Sequence, residues 1–106
     1  MENRLITLKK QIIKSITDVL ILQALKNDDL CGNEIVNELH SRFGITNYGK
    51  VYSILSILTK NGLITYKNNP NSKKLYSLTE KGELARKEML EQYFDIHTKI
   101  TNYCFI

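Results

Sequence analysis

The fold is decided by residues 46–78, which read TNYGKVYSILSILTKNGLITYKNNPNSKKLYSL. The first half of this stretch spaces apolar side chains as on a helix with one face turned to a core, at Val51, Ile54, Leu55 and Leu58. An Asn-Gly pair then ends the helix, and two short apolar and aromatic runs follow, separated by a polar turn sequence. The stretch therefore predicts a helix over residues 47–61 and a β-hairpin over residues 64–78.

The positive charge of the chain is concentrated around the same stretch. Residues 39–79, called the acid-free segment below, contain no aspartate or glutamate. Their basic residues are Arg42, Lys50, Lys60, Lys67, Lys73 and Lys74. The whole chain has a formal net charge of +4, so the remainder of the sequence is net negative. A basic helix followed by a basic hairpin suits the phosphates of DNA.

Further helices are predicted on the N-terminal side of this stretch. Apolar side chains recur at helical spacing at Leu5, Leu8 and Ile12. Thr17 with Asp18 is the expected N-cap of a second helix, which contains the apolar run over residues 19–25. A third helix ends at Gly44, and its shared face consists of Ile35, Val36, Leu39 and Phe43. Helices followed by a two-stranded wing indicate a mainly α (α+β) fold, the winged helix-turn-helix.

The C-terminal segment predicts a long helix with an apolar seam. Thr79 is its expected N-cap, and Glu80 and Glu83 complement the helix dipole in the first turn. Apolar side chains then recur at alternating spacings of four and three, at Met89, Tyr93, Ile96, Ile100 and Tyr103. We expect this seam and the apolar face of the N-terminal helix to form a homodimer interface. The alternative is that the helix packs back on its own domain.

Length and composition limit the function classes. A chain of 106 residues supports one hydrophobic core. It contains no apolar run of about 18 residues, so we expect no membrane-spanning helix and no membrane partner. The N-terminus also lacks the pattern of a secretion signal. These features together predict a cytoplasmic, chromosome-associated protein.

The sequence offers no support for catalysis or metal binding. Cys31 and Cys104 lie far apart and have no His or Cys at metal-ligand spacing. His40 and His97 fall on different predicted helices, without an accompanying nucleophile or acid cluster. A glycine-rich phosphate loop is also missing from the sequence. We therefore expect no enzyme activity, no metal and no cofactor, with Cys31 as a buried structural thiol.

Several segments together resemble the PadR-like family of transcriptional regulators. They are DVLILQAL at residues 18–25, GNEI at 32–35, GKVYSIL at 49–55, LTKNGLI at 58–64 and KLYSLTEKG at 74–82. The order and spacing of these segments make the resemblance specific, and they span most of the chain. It implies a homodimeric DNA-binding repressor whose C-terminal helix supplies much of the interface. We accordingly expect a winged helix-turn-helix domain over residues 1–79 and a dimerisation helix over residues 80–106, packed on the same domain.

The outward side of the helix over residues 47–61 is the expected reader of the major groove. Its candidate contacts are Asn47, Tyr48, Lys50 and Ser53; the asparagine suits adenine and the lysine suits guanine, and both equally suit phosphates. Tyr52 matches a tyrosine of the family, and it is either a phosphate contact or a core aromatic. The wing over residues 64–78 offers Lys67, Lys73 and Lys74 to the adjacent backbone or minor groove.

Double-stranded DNA and a second copy of the chain are the expected partners. Some PadR-like dimers bind aromatic compounds between their protomers, and the resemblance implies that Tyr93, Phe94, Ile96 and Tyr103 would line that space here. Such side chains more often form a plain dimer core, and a small aromatic effector at the dimer interface is the second interpretation.

Three functions compete at this point. The first is a sequence-specific regulator whose dimer reads a palindromic site. The second is an architectural or replication-associated DNA-binding protein with little sequence preference and a steep salt dependence. The third is a winged helix that serves only as a protein-interaction module, which the acid-free segment disfavours.

Overall fold

The computed structural model describes residues 2–105 and the side chains of residues 4–9, 11–13 and 15–105. Residues 1 and 106, at the outer ends of the two predicted domains, lie outside the described residues. The elements are α1 (Glu2–Ser15), α2 (Thr17–Asn27), β1 (Leu30–Cys31), α3 (Gly32–Phe43), α4 (Tyr48–Lys60), β2 (Ile64–Asn68), β3 (Lys74–Leu78) and α5 (Glu80–Phe105). The predicted helix and hairpin are present as α4 and the β2–β3 wing, which confirms the mainly α winged helix-turn-helix fold.

One hydrophobic core lies where α2, α3 and α4 meet the sheet. Its buried members are Ile21, Leu22, Leu25, Ile35, Val36, Leu39, Val51, Ile54, Leu55, Leu58, Ile64 and Tyr76. The whole predicted inner face of α4 belongs to this set, so the opposite side of α4 faces solvent. Phe43 shares a face of α3 with Ile35, Val36 and Leu39, but it is 38% exposed and does not join the buried core. It is the last residue of α3, where the chain already turns away from the core.

Two glycines end the helices of the helix-turn-helix. Gly44 has φ 68° and Gly62 has φ 77°, the left-handed conformation that lets a chain leave a helix without strain. After α4 the exit is closed by the Leu63 N–H, which donates to the Leu58 carbonyl at 3.0 Å. The turns at Gly44 and Gly62 set the direction of α4 and the direction of the wing that follows it.

The start of α2 differs from the expected Thr17 cap. Ile16 precedes the helix, and no side chain caps it. Thr17 lies inside α2 and is buried, and its hydroxyl donates to the Ile13 carbonyl at 3.2 Å. Because α1 runs into α2 through a single residue, the preceding helix supplies the acceptor for this hydroxyl. Asp18 remains a first-turn acid that complements the helix dipole.

The sheet has three antiparallel strands in the order β1-β3-β2, one more than the sequence predicted. In the additional pairing Leu30 lies opposite Tyr76 and Cys31 opposite Leu75. Strand β1 is only two residues long, too short for an alternating pattern to reveal it. It connects the start of α3 to the wing, and so holds two parts of the candidate interface together.

A single asparagine side chain organises the tip of the wing. The Oδ1 of Asn69 accepts hydrogen bonds from the N–H groups of Asn71 and Lys73, both at 3.0 Å. The Asn69 N–H in turn donates to the Lys73 carbonyl at 2.9 Å. The tip therefore has a defined shape, as expected for an asparagine that folds back on its own turn.

The first turn of α5 is anchored to the winged helix at Gly82. The Thr79 hydroxyl oxygen accepts the Gly82 N–H at 2.9 Å, which matches the expected N-cap. The same hydroxyl donates to the carbonyls of Gly62 and Leu63. A Cβ on Gly82 would lie 1.9 Å from the Leu63 carbonyl oxygen, so only glycine allows α5 to approach this backbone.

One turn later a buried ion pair fixes α5 to α2. Arg86 is 5% exposed, and its guanidinium donates to the Glu83 carboxylate at 2.8 and 2.9 Å and to Gln23 Oε1 at 2.9 Å. The hydrogen bonds from Arg86 hold the pKa of Glu83 below its usual value. Beyond residue 90 the described side chains of α5 are exposed, apart from a half-buried Thr101. None of the described helices is long and apolar enough to span a membrane.

Candidate nucleic-acid interface

The outward side of α4 begins with Asn47, Lys50 and Ser53. Asn47 is the N-cap of α4, and its Oδ1 accepts the Lys50 N–H at 3.1 Å. The Ser53 hydroxyl donates to the Gly49 carbonyl at 3.0 Å. Lys50 is exposed, and its ammonium has no ion pair within the described part of the chain. Lys50 therefore has the most freely available polar group of the three.

Tyr48 occupies the first position of α4 and is 46% exposed. Its ring stands edge-on to the His40 imidazole, with 6.5 Å between the ring centroids. This contact orients the ring from the end of α3 and leaves about half of its surface accessible.

Three outward residues further along α4 are not among the predicted DNA contacts. Ser56, Ile57 and Lys60 are all exposed, and they continue the side that Gly49 and Ser53 begin. Continuing the helical spacing beyond the first turns of the helix would have found them. The outward side of α4 is therefore a surface of small, polar and basic residues that contains one aliphatic side chain.

A groove of about 460 Å³ lies between α4, the start of α3 and the wing. This wing groove is lined by Cys31, Gly32, Asn33, Tyr52, Lys73, Lys74 and Tyr76. The Tyr52 ring packs on Gly32 so closely that a Cβ there would lie 2.7 Å from Cε1 of the ring. Tyr52 is nevertheless 46% exposed, so it lines the groove and is no core aromatic.

The three predicted lysines of the wing are divided between two faces. Lys73 and Lys74 line the wing groove, and the Lys74 Nζ lies 4.5 Å from the centroid of the Tyr66 ring. Side chains alternate along a strand, so Lys67 lies on the face of β2 opposite to Tyr66. The structure thus brings Lys73 and Lys74 to Tyr52 and leaves Lys67 apart.

Cys31 lies in the wing groove and is only half-buried, contrary to the expectation of a buried thiol. The Asn69 amide donates to its Sγ at 3.9 Å. Burial, with a further contribution from the neighbouring Glu34, raises the pKa of the Cys31 thiol, which favours the uncharged form. In the part of the chain that the structure describes, no three His, Cys, Asp or Glu side chains are grouped to hold a metal ion.

The charges of the acid-free segment are unevenly compensated. Arg42 forms an ion pair with Glu38, which lies just before the segment. The other bases, Lys50, Lys60, Lys67, Lys73 and Lys74, have no ion pair among the described residues. They are all exposed and belong to α4 and the wing. The uncompensated charge is therefore carried by the two elements that were predicted to contact DNA, although the individual contacts stay predictions.

The predicted dimer residues form a second, apolar surface. Exposures between 45% and 89% are found for Leu5, Leu8, Ile12, Tyr93, Ile96, Ile100 and Tyr103. Met89 differs from them, because it is half-buried and packs against the core of its own domain. Phe94 and Phe105 are 71% and 82% exposed and lie on another side of α5. The far half of α5 is thus apolar on two sides, which the seam pattern alone did not predict.

Comparison with protein families gives a match over most of the chain. The family model described as "Transcriptional regulator PadR-like family" matches residues 21–88. Comparison with curated proteins gives no significant match.

Three solved structures show what this chain is similar to. A PadR family transcription regulator from Clostridium difficile R20291 is 27% identical with a TM-score of 0.69, covering 83% of this chain and 96% of that one. Bacillus subtilis PadR in complex with operator DNA is 26% identical with a TM-score of 0.66, covering 71% of this chain and 47% of that one. A PadR family regulator from Eggerthella lenta DSM 2243 is 18% identical with a TM-score of 0.86 over 98% and 95% of the two chains, which shows the shared fold.

Proposed function

We propose that this chain, which belongs to the PadR-like family of transcriptional regulators, is a homodimeric repressor that binds palindromic double-stranded DNA. The proposal is carried by the five exposed lysines of α4 and the wing, which have no ion pair among the described residues. Such a surface is favourable beside a polyanion, because bound phosphates release counterions. Bacillus subtilis PadR, a structural neighbour, was solved with operator DNA, the kind of partner proposed here. Repression then requires only that the bound dimer obstruct transcription.

In the proposed complex α4 enters the major groove. The inner face of α4 is buried in the core, so the outward side is the one that can contact base edges. Lys50 has an unpaired ammonium that suits guanine or a phosphate, and Tyr48 is exposed in the same first turn of the helix. Asn47 and Ser53 already bond to backbone atoms. We assign them to positioning α4 and to secondary contacts with DNA.

The wing groove is the proposed site of a backbone phosphate next to that major groove. Lys73 and Lys74 supply positive charge, and the half-exposed Tyr52 supplies a hydroxyl. The first N–H groups of α3, at Gly32 and Asn33, belong to a helix start, where backbone donors lack intrahelical partners. Lys67, on the other face of the wing, would contact the adjacent backbone or minor groove.

The proposed dimer covers the apolar surface of α1 and the far half of α5. A helix that is apolar on two sides is stable when it is enclosed by more than one element, and α5 and α1 of a second copy would supply them. We therefore propose residues 80–106 as the dimerisation helix and residues 1–79 as the DNA-binding domain. Two copies of α4 would then face successive major grooves about one helical turn apart.

The same interface is the proposed place for a small aromatic effector, if the protein responds to one. Tyr93 and Phe94 are exposed rings on two sides of α5, and their side chains suit an aromatic guest as well as a plain dimer core. A screen of single-ring aromatic compounds for release of bound DNA distinguishes these two roles, because a plain core gives no release.

Selection of bound sequences from random duplex DNA tests the proposed function. The selected duplex is then titrated with the protein at two salt concentrations, against random competitor DNA. We expect a palindromic sequence, bound at least about a thousandfold more tightly than the competitor, since specific sites generally exceed non-specific DNA by this factor or more.

Two other results of this selection would support the competing functions. Enrichment without a sequence motif, together with a steep salt dependence, would indicate an architectural DNA-binding protein. Failure to bind any duplex at near-physiological salt would leave the protein-interaction module and would contradict the proposal.

A further inference from the structure

Ile57 differs chemically from the surface in which it lies. Its side chain is 54% exposed on the outward side of α4. Among the described residues of the acid-free segment, it is the only large aliphatic side chain that is exposed. Its neighbours on that side are Ser53, Ser56 and Lys60. Isolated exposed aliphatic residues are common on protein surfaces, so exposure alone does not indicate a role for Ile57. A role is indicated by where Ile57 lies.

That location is the same side of α4 as Lys50. Ile57 follows Lys50 by seven residues, or two helical turns, which corresponds to about 10 Å along the axis. Successive base pairs of DNA are 3.4 Å apart, so the two side chains would address base edges about three base pairs apart. Gly49, Ser53 and Ser56 have small side chains, and they allow the helix to lie close to the floor of the groove.

We propose that Ile57 recognises the 5-methyl group of a thymine in the major groove of the bound DNA. This inference rests on the DNA-binding function proposed above. The thymine methyl is the apolar group that base edges present in this groove. Lys60, about one turn beyond Ile57 along α4, is an exposed lysine that suits a flanking phosphate. An apolar protein partner would instead need a contiguous patch, and the serines and lysine around Ile57 interrupt any such patch.

Removal of single methyl groups from the DNA tests this inference. The duplex that the wild-type protein selects from random DNA is synthesised with uracil in place of thymine, one symmetric pair at a time. Uracil pairs with adenine as thymine does and lacks only the methyl group. We expect one such pair to weaken binding of the wild-type dimer about fifteenfold, or about fourfold for each methyl, as measured by fluorescence anisotropy. Ile57→Ala should bind the thymine and uracil duplexes equally well.

Leu84→Ala is the matched control, because Leu84 is also an exposed aliphatic residue, at 68%, and lies on α5 outside the acid-free segment. This variant should keep the full response to uracil. Circular dichroism and thermal unfolding establish that Ile57→Ala is folded. The inference is overturned if the selected site contains no thymine pair that responds, or if the wild type and Ile57→Ala respond equally. A wild-type protein that selects no duplex contradicts the proposed function itself, a result distinct from both of these.

Discussion

The exposed surface of α4 and the wing and the part of α5 beyond residue 90 present opposite chemistry to the solvent. The first exposes lysines that have no ion pair among the described residues. The second exposes large apolar side chains, including Ile96 at 54% and Tyr103 at 89%. Hydrated charges leave a folded domain stable without a partner, whereas apolar surface gains free energy when it is covered. The charged surface is therefore suited to reversible binding, and the apolar surface to permanent assembly.

This difference predicts opposite responses to salt. Contacts between lysines and phosphates weaken as ionic strength rises, because counterions released into a more concentrated salt solution gain less entropy. Apolar association is not weakened in this way, and salts such as sulfate strengthen it. Substitutions in the two regions should therefore be separable, with one changing DNA affinity and the other changing the oligomeric state.

The largest effect is expected at Gly82, where the two regions are joined. In Gly82→Ala the new Cβ would overlap the Leu63 carbonyl oxygen, at 1.9 Å, so α5 has to move away from the winged helix. We expect the free energy of unfolding to fall by about 3 kcal/mol or more, as measured by urea denaturation. Gly49→Ala is the control, because its nearest neighbour would be 3.7 Å away. Its gain in helix propensity should stabilise the protein by up to about 1 kcal/mol. A Gly82→Ala variant as stable as the wild type would contradict the described junction.

The next effect concerns the apolar surface. Ile96→Glu places a carboxylate in the middle of the proposed interface, and the charge loses hydration when a second copy covers it. We expect the dimer dissociation constant to rise at least about a hundredfold, the equivalent of about 2.7 kcal/mol, as measured by analytical ultracentrifugation. Asn102→Glu introduces the same charge at an exposed position on the polar side of α5 that also carries Glu91 and Asp95, and should leave the dimer intact. Equal effects of the two substitutions would show that the interface lies elsewhere.

A smaller effect is expected on the charged surface. Lys50→Ala should weaken DNA binding and reduce the slope of log affinity against log salt by about 2 for the dimer, roughly one unit per protomer. The oligomeric state should not change. Lys87→Ala removes an exposed lysine of α5 outside the acid-free segment, and its salt slope should equal that of the wild type. An unchanged salt slope in Lys50→Ala would show that Lys50 contacts neither phosphates nor bases.

The smallest effect concerns the pH dependence of the anchor between α5 and α2. Hydrogen bonds from Arg86 lower the pKa of Glu83 in the folded protein from an ordinary value of 4.5. The stabilisation is therefore present at neutral pH and is lost as the pH falls below 4.5 through the lowered pKa. Glu83→Gln should be less stable than the wild type at pH 7, and the difference should shrink at pH 3. Urea unfolding at the two pH values measures this, and a difference that does not depend on pH would contradict it.

The sequence predicted those parts of the fold that repeat regularly over several residues. The stripe of Val51, Ile54, Leu55 and Leu58 is fully buried as expected, because a periodic pattern leaves the helix only one way to face the core. Strand β1 could not be predicted in the same way, because its two residues form a strand only by pairing with β3. The Thr17 cap was wrong for a related reason, because its hydroxyl bonds to the preceding helix.

The candidate site shows the same division. Charge counting along the chain located the basic elements, because charge is a property of each residue wherever it lies. It could not separate Lys67 from Lys73 and Lys74, nor show that Arg42 is paired with Glu38. Tyr52, Gly32 and Lys73 meet in the wing groove although they are distant in sequence.

The sequence by itself determined the order of the helices and the wing, the buried face of α4 and the location of the basic charge. These follow from local periodicity and composition, which act between residues close along the chain. The tertiary structure alone decided the wing groove, the anchoring of α5 at Gly82 and Arg86, and the exposure of α5 on two sides. Those features depend on distances between segments far apart in sequence, which are set by the packing of the common core.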